Sequence, residues 1–249
     1  MSGRTRFDRL AKVYEDLAAT PFRRHLEMPS VFAALGDVRG SAVLDLGCGA
    51  GDYARALARR GATKVVGHDR SLGMIEHARG RERTAPLGIR YITDELRADL
   101  HHAFDVVLSV YVMPYATTRD ELAGICASAA WLLRRGGLFV TLPIHPDFPY
   151  DEPDYYRHYG FRMYSGDRPA DGSPVTLELL CGGHQESVTA RYWSHEALAG
   201  ALSDTGFTEL AFPPFQVTPA GVREQGPDFW DGYLTRPHAT IIAARSHGA

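Results

Sequence analysis

Val43-Leu44-Asp45-Leu46-Gly47-Cys48-Gly49-Ala50-Gly51 is the stretch whose reading decides the fold of this chain. An apolar run from Ala42 to Leu46, carrying one acid, meets three closely spaced glycines, and Asp52 to Arg60 follows as a helix closed by Gly61. That order describes a β-strand, a tight turn and a helix N-terminus. Glycine has no Cβ, so the turn lets backbone approach a ligand closely. The unpaired N–H groups of the helix start point toward whatever sits there. Ligands of open α/β sheets gather at the carboxyl ends of strands, where the strand order reverses. The site is therefore expected above this loop.

Outward from the loop, Lys64 to His68 reads as a second strand ending at Asp69. An acid there, roughly 20 residues past the glycines, is placed to hydrogen-bond ribose hydroxyls. Its other reading is a helix N-cap, a part that Ser71 fills better. A helix over Leu72–Arg79 leads to a charged loop and a third strand, Ile89 to Ile92, which ends near Thr93-Asp94-Glu95. Phe104 to Val110 is apolar on both faces, as a central parallel strand should be. A helix over Glu121–Leu133 and a strand over Leu138–Leu142 complete the alternation. Arg59-Arg60 and Arg134-Arg135 each precede glycine, in what reads as a last helical turn where they complement the helix dipole.

The pattern breaks at Pro143. Residues 143–192 are rich in Pro, Gly, Asp, Tyr and His, with two strands, Val175–Leu180 and Glu186–Tyr192, around a turn. Ser194 is positioned to cap a helix to about Thr205, and Thr208–Phe212 and Ala239–Ala244 supply the closing strands. The expected architecture is a doubly wound, Rossmann-like seven-stranded α/β sheet over residues 41–249, with an insertion after strand five. Residues 1–40 form a helical segment, Phe7, Leu10, Val13, Tyr14 and Leu17 falling at helical spacing before a second helix over Phe22–Leu35. It reads either as a packing cap on the sheet or as a lid with Tyr14 facing the ligand.

Composition narrows the partners. A formal net charge of −3 over 249 residues gives no footprint for nucleic acid or an anionic membrane. Arginine supplies nearly all the basic residues, with lysine only at positions 12 and 64. No apolar stretch approaches transmembrane length. Cys48, Cys126 and Cys181 have neither disulfide nor C-x-x-C arithmetic, which fits a reducing cytoplasm. No clustered His, Cys, Asp and Glu suggest a metal site.

The loop also selects its ligand. A P-loop needs Gly-Lys-Ser/Thr, and here Gly51 is followed by Asp52-Tyr53. A dinucleotide fold prefers G-x-G-x-x-G. The spacing Gly47-x-Gly49-x-Gly51, two residues after Asp45, puts an acid beneath the glycines, which suits an ammonium better than a pyrophosphate.

Val43 to Gly51 resembles the D-x-G-x-G-x-G motif of class I S-adenosylmethionine-dependent methyltransferases. The resemblance continues through Val66-Gly67-His68-Asp69, Thr93-Asp94, Phe104 to Leu108 and Leu132 to Gly137. It implies that fold and S-adenosylmethionine as cofactor. It also implies that Gly47, Gly49 and Gly51 pack against the methionine moiety, Asp45 holds the ammonium and Asp69 takes the ribose hydroxyls. Met74 would cover an adenine face, although a methionine also serves as core filler. Asp94 would meet the adenine amino group, with Arg70, Glu95 and Ser109 completing the cofactor side. Val13 to Asp16, Gly36 to Val38, Pro146 to Phe148, Tyr192 to Ser194 and Phe229 to Asp231 are similar to the azapteridine N-methyltransferases of toxoflavin biosynthesis. That likeness implies a small planar acceptor methylated on a ring nitrogen in specialised metabolism; the chain itself is expected to be a monomer or homodimer.

Flat aromatic walls suit a flat acceptor. Tyr111, Tyr115, Tyr155, Tyr159, Trp193 and Trp230 are the candidates, against the alternative of a small aromatic core within the insertion. His145, directly after the fifth strand, is the candidate base. Three rivals remain open at this stage: O- or C-methylation of another aromatic metabolite, an NAD-dependent oxidoreductase, and a non-catalytic S-adenosylmethionine-binding protein.

Overall fold

A computed structural model describes residues 16–93, 96, 98–181 and 184–247; for 181, 184 and 185 only the backbone is described. The expectations for Tyr14, Asp94 and Glu95 lie outside the described residues. Seven strands form one sheet: β1 (Ala42–Leu46), β2 (Lys64–His68), β3 (Arg90–Ile92), β4 (Phe104–Val110), β5 (Leu133–Leu142), β9 (Phe207–Ala211) and β10 (Ile242–Ser246). Their order is β3-β2-β1-β4-β5-β10-β9. The first five run parallel, and β10 lies antiparallel to both β5 and β9. The order reverses between β1 and β4, so a crevice opens where the glycine loop leaves β1.

Helices cover both faces. On one side α1 (Met28–Leu35), α2 (Asp52–Arg59) and α3 (Leu72–Thr84) pack on Val43, Val65, Leu108 and Val140. On the other, α4 (Arg119–Leu132) and α5 (His195–Ser203) pack on Leu44, Val107 and Phe139. β1 is buried along its whole length, as a strand covered on both faces must be. Ser71 and Ser194 accept hydrogen bonds from Met74 and Ala197 N–H, capping α3 and α5.

Beyond β5 the chain builds a separate antiparallel sheet of β6 (Phe161–Tyr164), β7 (Pro174–Cys181) and β8 (His184–Arg191). β6 and two late helices, α6 (Pro219–Gln225) and α7 (Asp228–Thr235), are elements that sequence patterning does not single out. Four residues and two short glycine-bearing turns leave little periodicity to detect. Arg134 and Arg135 correct an expectation: α4 ends at Leu132, and both residues belong to β5. Arg134 pairs with Asp105, so it neutralises a carboxylate at the bottom of β4 and does not serve a helix terminus.

The N-terminal helix is also not uniform. Arg23–Glu27 is one turn of π-helix leading into α1. Pro29 explains it, because proline has no N–H and cannot continue the bonding of the preceding turn. Met28 N–H reaches back to Arg23 O, and His25 O instead accepts from Thr218 N–H at 2.8 Å. Among the described residues no helix is long and apolar enough to cross a membrane, and no group of three or more His, Cys, Asp or Glu could hold a metal ion.

Candidate active site

The loop after β1 is fastened from below. Gly47 and Cys48 N–H both donate to His68 O, at 2.7 and 2.9 Å, tying the turn to the end of β2. Gly47 adopts φ 75°, and a Cβ there would stand 2.2 Å from Val112 Cγ2. Only glycine satisfies both conditions. Gly49, at φ 52°, has no atom within 4 Å of where its Cβ would be. The space beside it belongs to a cavity.

That cavity encloses about 800 Å³. The glycine loop, the β2 end (His68 to Ser71), Met74, and Tyr111, Val112 and Tyr115 after β4 all line it. α4 contributes Glu121, Gly124, Ile125 and Ser128, one face at helical spacing, with two small residues that leave room.

Asp69 closes the loop from the β2 side. Its Oδ2 accepts Gly49 N–H at 2.9 Å and its Oδ1 accepts Ser71 N–H at 2.8 Å. Each carboxylate oxygen keeps acceptor capacity for a further donor. Asp45 is 2% exposed, and its Oδ2 accepts Ala54 N–H at 2.9 Å. Gly51 occupies the N-cap of α2 and has no side chain to offer, so Asp45 takes over the capping bond from β1. Burial pushes its carboxyl up to about 7; the Ala54 bond opposes this, and the charges of Asp69 and Asp52 add to it.

One wall was not foreseen. Arg23, from the π-turn, lines the cavity with Tyr53 of α2. Arg23 Nε lies 2.9 Å from Glu27 Oε1, yet its N–H is misdirected and has no hydrogen-bond partner. Tyr53 and Tyr111 hydroxyls donate to Glu27 Oε1 and Oε2 at 2.9 and 2.6 Å. Burial opposes the charge on Arg23, but Glu27 and the phenols around it outweigh burial and raise its pKa. Burial, then the charge of Glu27, raises both phenols well above their usual range. The signal available in the sequence was Pro29 inside an otherwise helical run, with Arg23 and Glu27 four residues apart.

The remaining expected residues divide. Gly47, Gly49, Asp45, Asp69, Arg70, Met74, Tyr111 and Tyr115 line the cavity; Gly51 adjoins it as the α2 cap. Ser109 is fully buried inside the sheet, away from the lining. Tyr155, Tyr159 and Trp230 are held elsewhere: their hydroxyls and indole N–H donate to Gly232 O, Phe229 O and Gly221 O, beneath the small sheet. Trp193 packs in the core beside α4 and α5. These four side chains spend their surface on core packing, which is why they do not wall the cavity. His145 is also absent from the lining; its Nδ1 accepts Asp147 N–H at 3.0 Å and so holds a turn.

Residues 43–137 match the family model described as a methyltransferase domain. A structure from Listeria monocytogenes, assigned as an S-adenosylmethionine-dependent methyltransferase, is 26% identical, with a TM-score of 0.61 over 88% of this chain and 96% of that one. The seven-stranded core has the fold of class I S-adenosylmethionine-dependent methyltransferases. An S-adenosylmethionine-dependent methyltransferase from Mesorhizobium loti shares the fold of this domain, with a TM-score of 0.60 and 24% identity over 92% of this chain and 99% of that one. A ubiquinone biosynthesis O-methyltransferase of Agrobacterium fabrum is 33% identical over 111 residues, 43% of this chain and 42% of the relative. The chain spans about half the length of the curated relatives it matches.

The cavity fits S-adenosylmethionine on this chain's own atoms. Open space at Gly49 admits a ligand against backbone, Asp69 offers acceptors to a diol, and Met74 offers a flat apolar cover. Asp45 and Arg23 lie in the same lining as a carboxyl and a guanidinium for the ammonium and the carboxylate of an amino-acid end.

Proposed function

We propose that the protein transfers the methyl group of S-adenosylmethionine to a small planar metabolite, with a ring nitrogen of a heterocycle such as an azapteridine as the acceptor atom. The observation that carries the reading is the convergence of Asp69, Asp45, Arg23 and open Gly49 on one cavity. The cofactor supplies a methyl on a sulfonium, already activated for in-line displacement. The chain's part is to align the acceptor and exclude water, worth on the order of 7–11 kcal/mol at best. Asp69 orients the ribose, Asp45 and Arg23 fix the amino-acid end, and Tyr111 and Tyr115 offer the acceptor a flat surface.

The proposed acceptor sheds its own proton, so the reading asks no strong base of the lining. Tyr53 and Tyr111 already donate to Glu27, and their raised pKa values make them poor sources of a base at neutral pH. His145 and the buried His238 stand outside the lining, whereas His68 lies in it at the end of β2. The N–H of an electron-poor fused heterocycle ionises near neutral pH without a strong enzymic base, whereas an alcohol does not. The competing reading is O-methylation, favoured by the names of the curated relatives. Methyl transfer to azapteridines, pteridines, flavonoids and simple phenols, with the new methyl located by NMR, separates the two. Methyl on nitrogen is expected; methyl on oxygen, with no turnover of any nitrogen heterocycle, would replace the first reading by the second. The same reading takes the chain to act in a reducing cytoplasm, consistent with buried Cys48 and Cys126 as free thiols.

A further inference from the structure

We propose that Glu27 is a positioning residue for the cofactor's carboxylate: through Arg23 it aims a cation at the amino-acid end of the cavity, and through Tyr111 it locks that end to the acceptor wall. The proposal rests on the cavity being the S-adenosylmethionine site.

A carboxylate 1% exposed is costly unless it is well paired. Glu27 gathers three partners on two oxygens: the Arg23 guanidinium, Tyr53 and Tyr111. Those partners come from the π-turn, from α2 and from the segment after β4. All three line the cavity, while Glu27 itself does not. A buried carboxylate whose three polar partners all line the wall acts through them.

The local backbone supports the same view. π-turns inside helices recur at functional sites. Here the turn spans Arg23–Glu27 and is stabilised from outside, by Thr218 N–H on His25 O. Tyr111 carries a second irregularity, φ 59°, which is unfavourable for an aromatic residue. Its hydroxyl bond to Glu27 at 2.6 Å is one of the contacts that hold it there, with Tyr111 N–H on Leu142 O at 3.1 Å.

Arg23 is not saturated by this arrangement. It is a buried cation whose Nε–H lacks a hydrogen-bond partner, although Glu27 sits within ion-pair distance. The pair satisfies charge without using every donor, which leaves the guanidinium able to take an anion from the cavity. Packing alone would not require this, since apolar residues of similar volume commonly replace a buried ion pair without loss.

The test compares two ligands that differ at the amino-acid end. S-adenosylhomocysteine carries the carboxylate; 5′-methylthioadenosine lacks it and keeps the adenosine. Calorimetry on the full chain should show Glu27→Gln weakening S-adenosylhomocysteine by roughly tenfold or more, the scale of one charged hydrogen bond. Binding of 5′-methylthioadenosine should change by less than about twofold on the same scale. Equal weakening of both ligands, or of neither, would overturn the positioning role. If Glu27→Gln does not fold by circular dichroism, Glu27→Asp keeps the charge and withdraws the carboxylate from Arg23. The same selective loss is then expected, and a uniform change would count against the proposal. Failure of wild-type protein to bind either ligand would instead overturn the cofactor reading and the proposal with it.

Discussion

The rim of the cofactor cavity and the aromatic cluster under the small sheet are built from the same kinds of residue and use them in opposite ways. Around the cavity, Asp69, Asp45 and Arg23 keep acceptor or donor capacity beyond what the fold consumes. In the cluster, Tyr155, Tyr156, Tyr159 and Trp230 each donate their polar atom to a backbone carbonyl, and their rings pack edge to face and in stacks. Aromatic content therefore does not mark a ligand surface by itself. What decides is where the polar tips go: a ring whose hydroxyl ends on a neighbouring carbonyl is part of the core.

The largest expected effect tests that contrast directly. Trp230 is buried, stacks on Tyr159 and hydrogen-bonds Gly221 O. Trp230→Ala should cost about 3–5 kcal/mol in urea unfolding, the range for truncating a buried aromatic. A variant of native stability that had lost only acceptor affinity would return Trp230 to the substrate wall.

Asp69 is the corresponding probe of the rim. Asp69→Ala should weaken S-adenosylhomocysteine by roughly 1.5–3 kcal/mol, the range for hydrogen bonds to a charged group. Part of that loss comes through the loop, since Gly49 and Ser71 N–H lose their acceptor together. Unchanged affinity in folded protein would mean that Asp69 only holds the turn.

The rim was legible in the sequence and the cluster was not, for a physical reason. A glycine loop that must let a ligand reach backbone restricts residue type position by position: Gly47 has no room for a methyl, and Asp69 must reach Gly49 N–H. Such constraints print a spacing. A core asks only for volume and apolar surface, so Tyr155, Tyr159, Trp193 and Trp230 carry no mark that separates wall from filling. Arg23 and Glu27 fall between the two cases. Their four-residue spacing puts them on one helical face, but nothing in that spacing shows that the π-turn before Pro29 carries Arg23 to the cavity and leaves Glu27 behind it.

Asp45 sharpens the comparison through pH. Its folded carboxyl is raised to about 7, against about 3.9 in an unfolded chain. The folded protein without ligand therefore keeps this proton longer, and the group's contribution to stability falls as pH rises between those values. An ammonium placed beside Asp45 favours its ionised form and draws the pKa back down. Cofactor binding should then release a proton, and affinity for S-adenosylhomocysteine should climb by up to about tenfold per pH unit below 7 and level off above it. Calorimetry near pH 6 in two buffers of different ionisation enthalpy counts the proton. A flat profile with no proton released would leave Asp45 as the surrogate cap of α2 alone.

The smallest effect is expected at His145, the imidazole that the sequence offered as a base. Burial lowers its pKa, with Asp147 opposing and His195 adding to the fall. Its Nδ1 accepts Asp147 N–H at 3.0 Å, and its ring meets His195 edge-on at 5.8 Å. The first contact belongs to the turn that leaves β5, and the second reaches the start of α5. An imidazole whose Nδ1 is spent on a backbone N–H has its proton on Nε2, so at neutral pH it offers no free lone pair to an acceptor. Loss of a true general base typically costs 10²–10⁴-fold. His145→Ala should instead leave turnover of the acceptor found by the substrate panel within about twofold across pH 6–9, far below that range. A hundredfold fall that is recovered at high pH would put His145 back at the reaction centre. It would also require the turn after β5 to open toward the cavity.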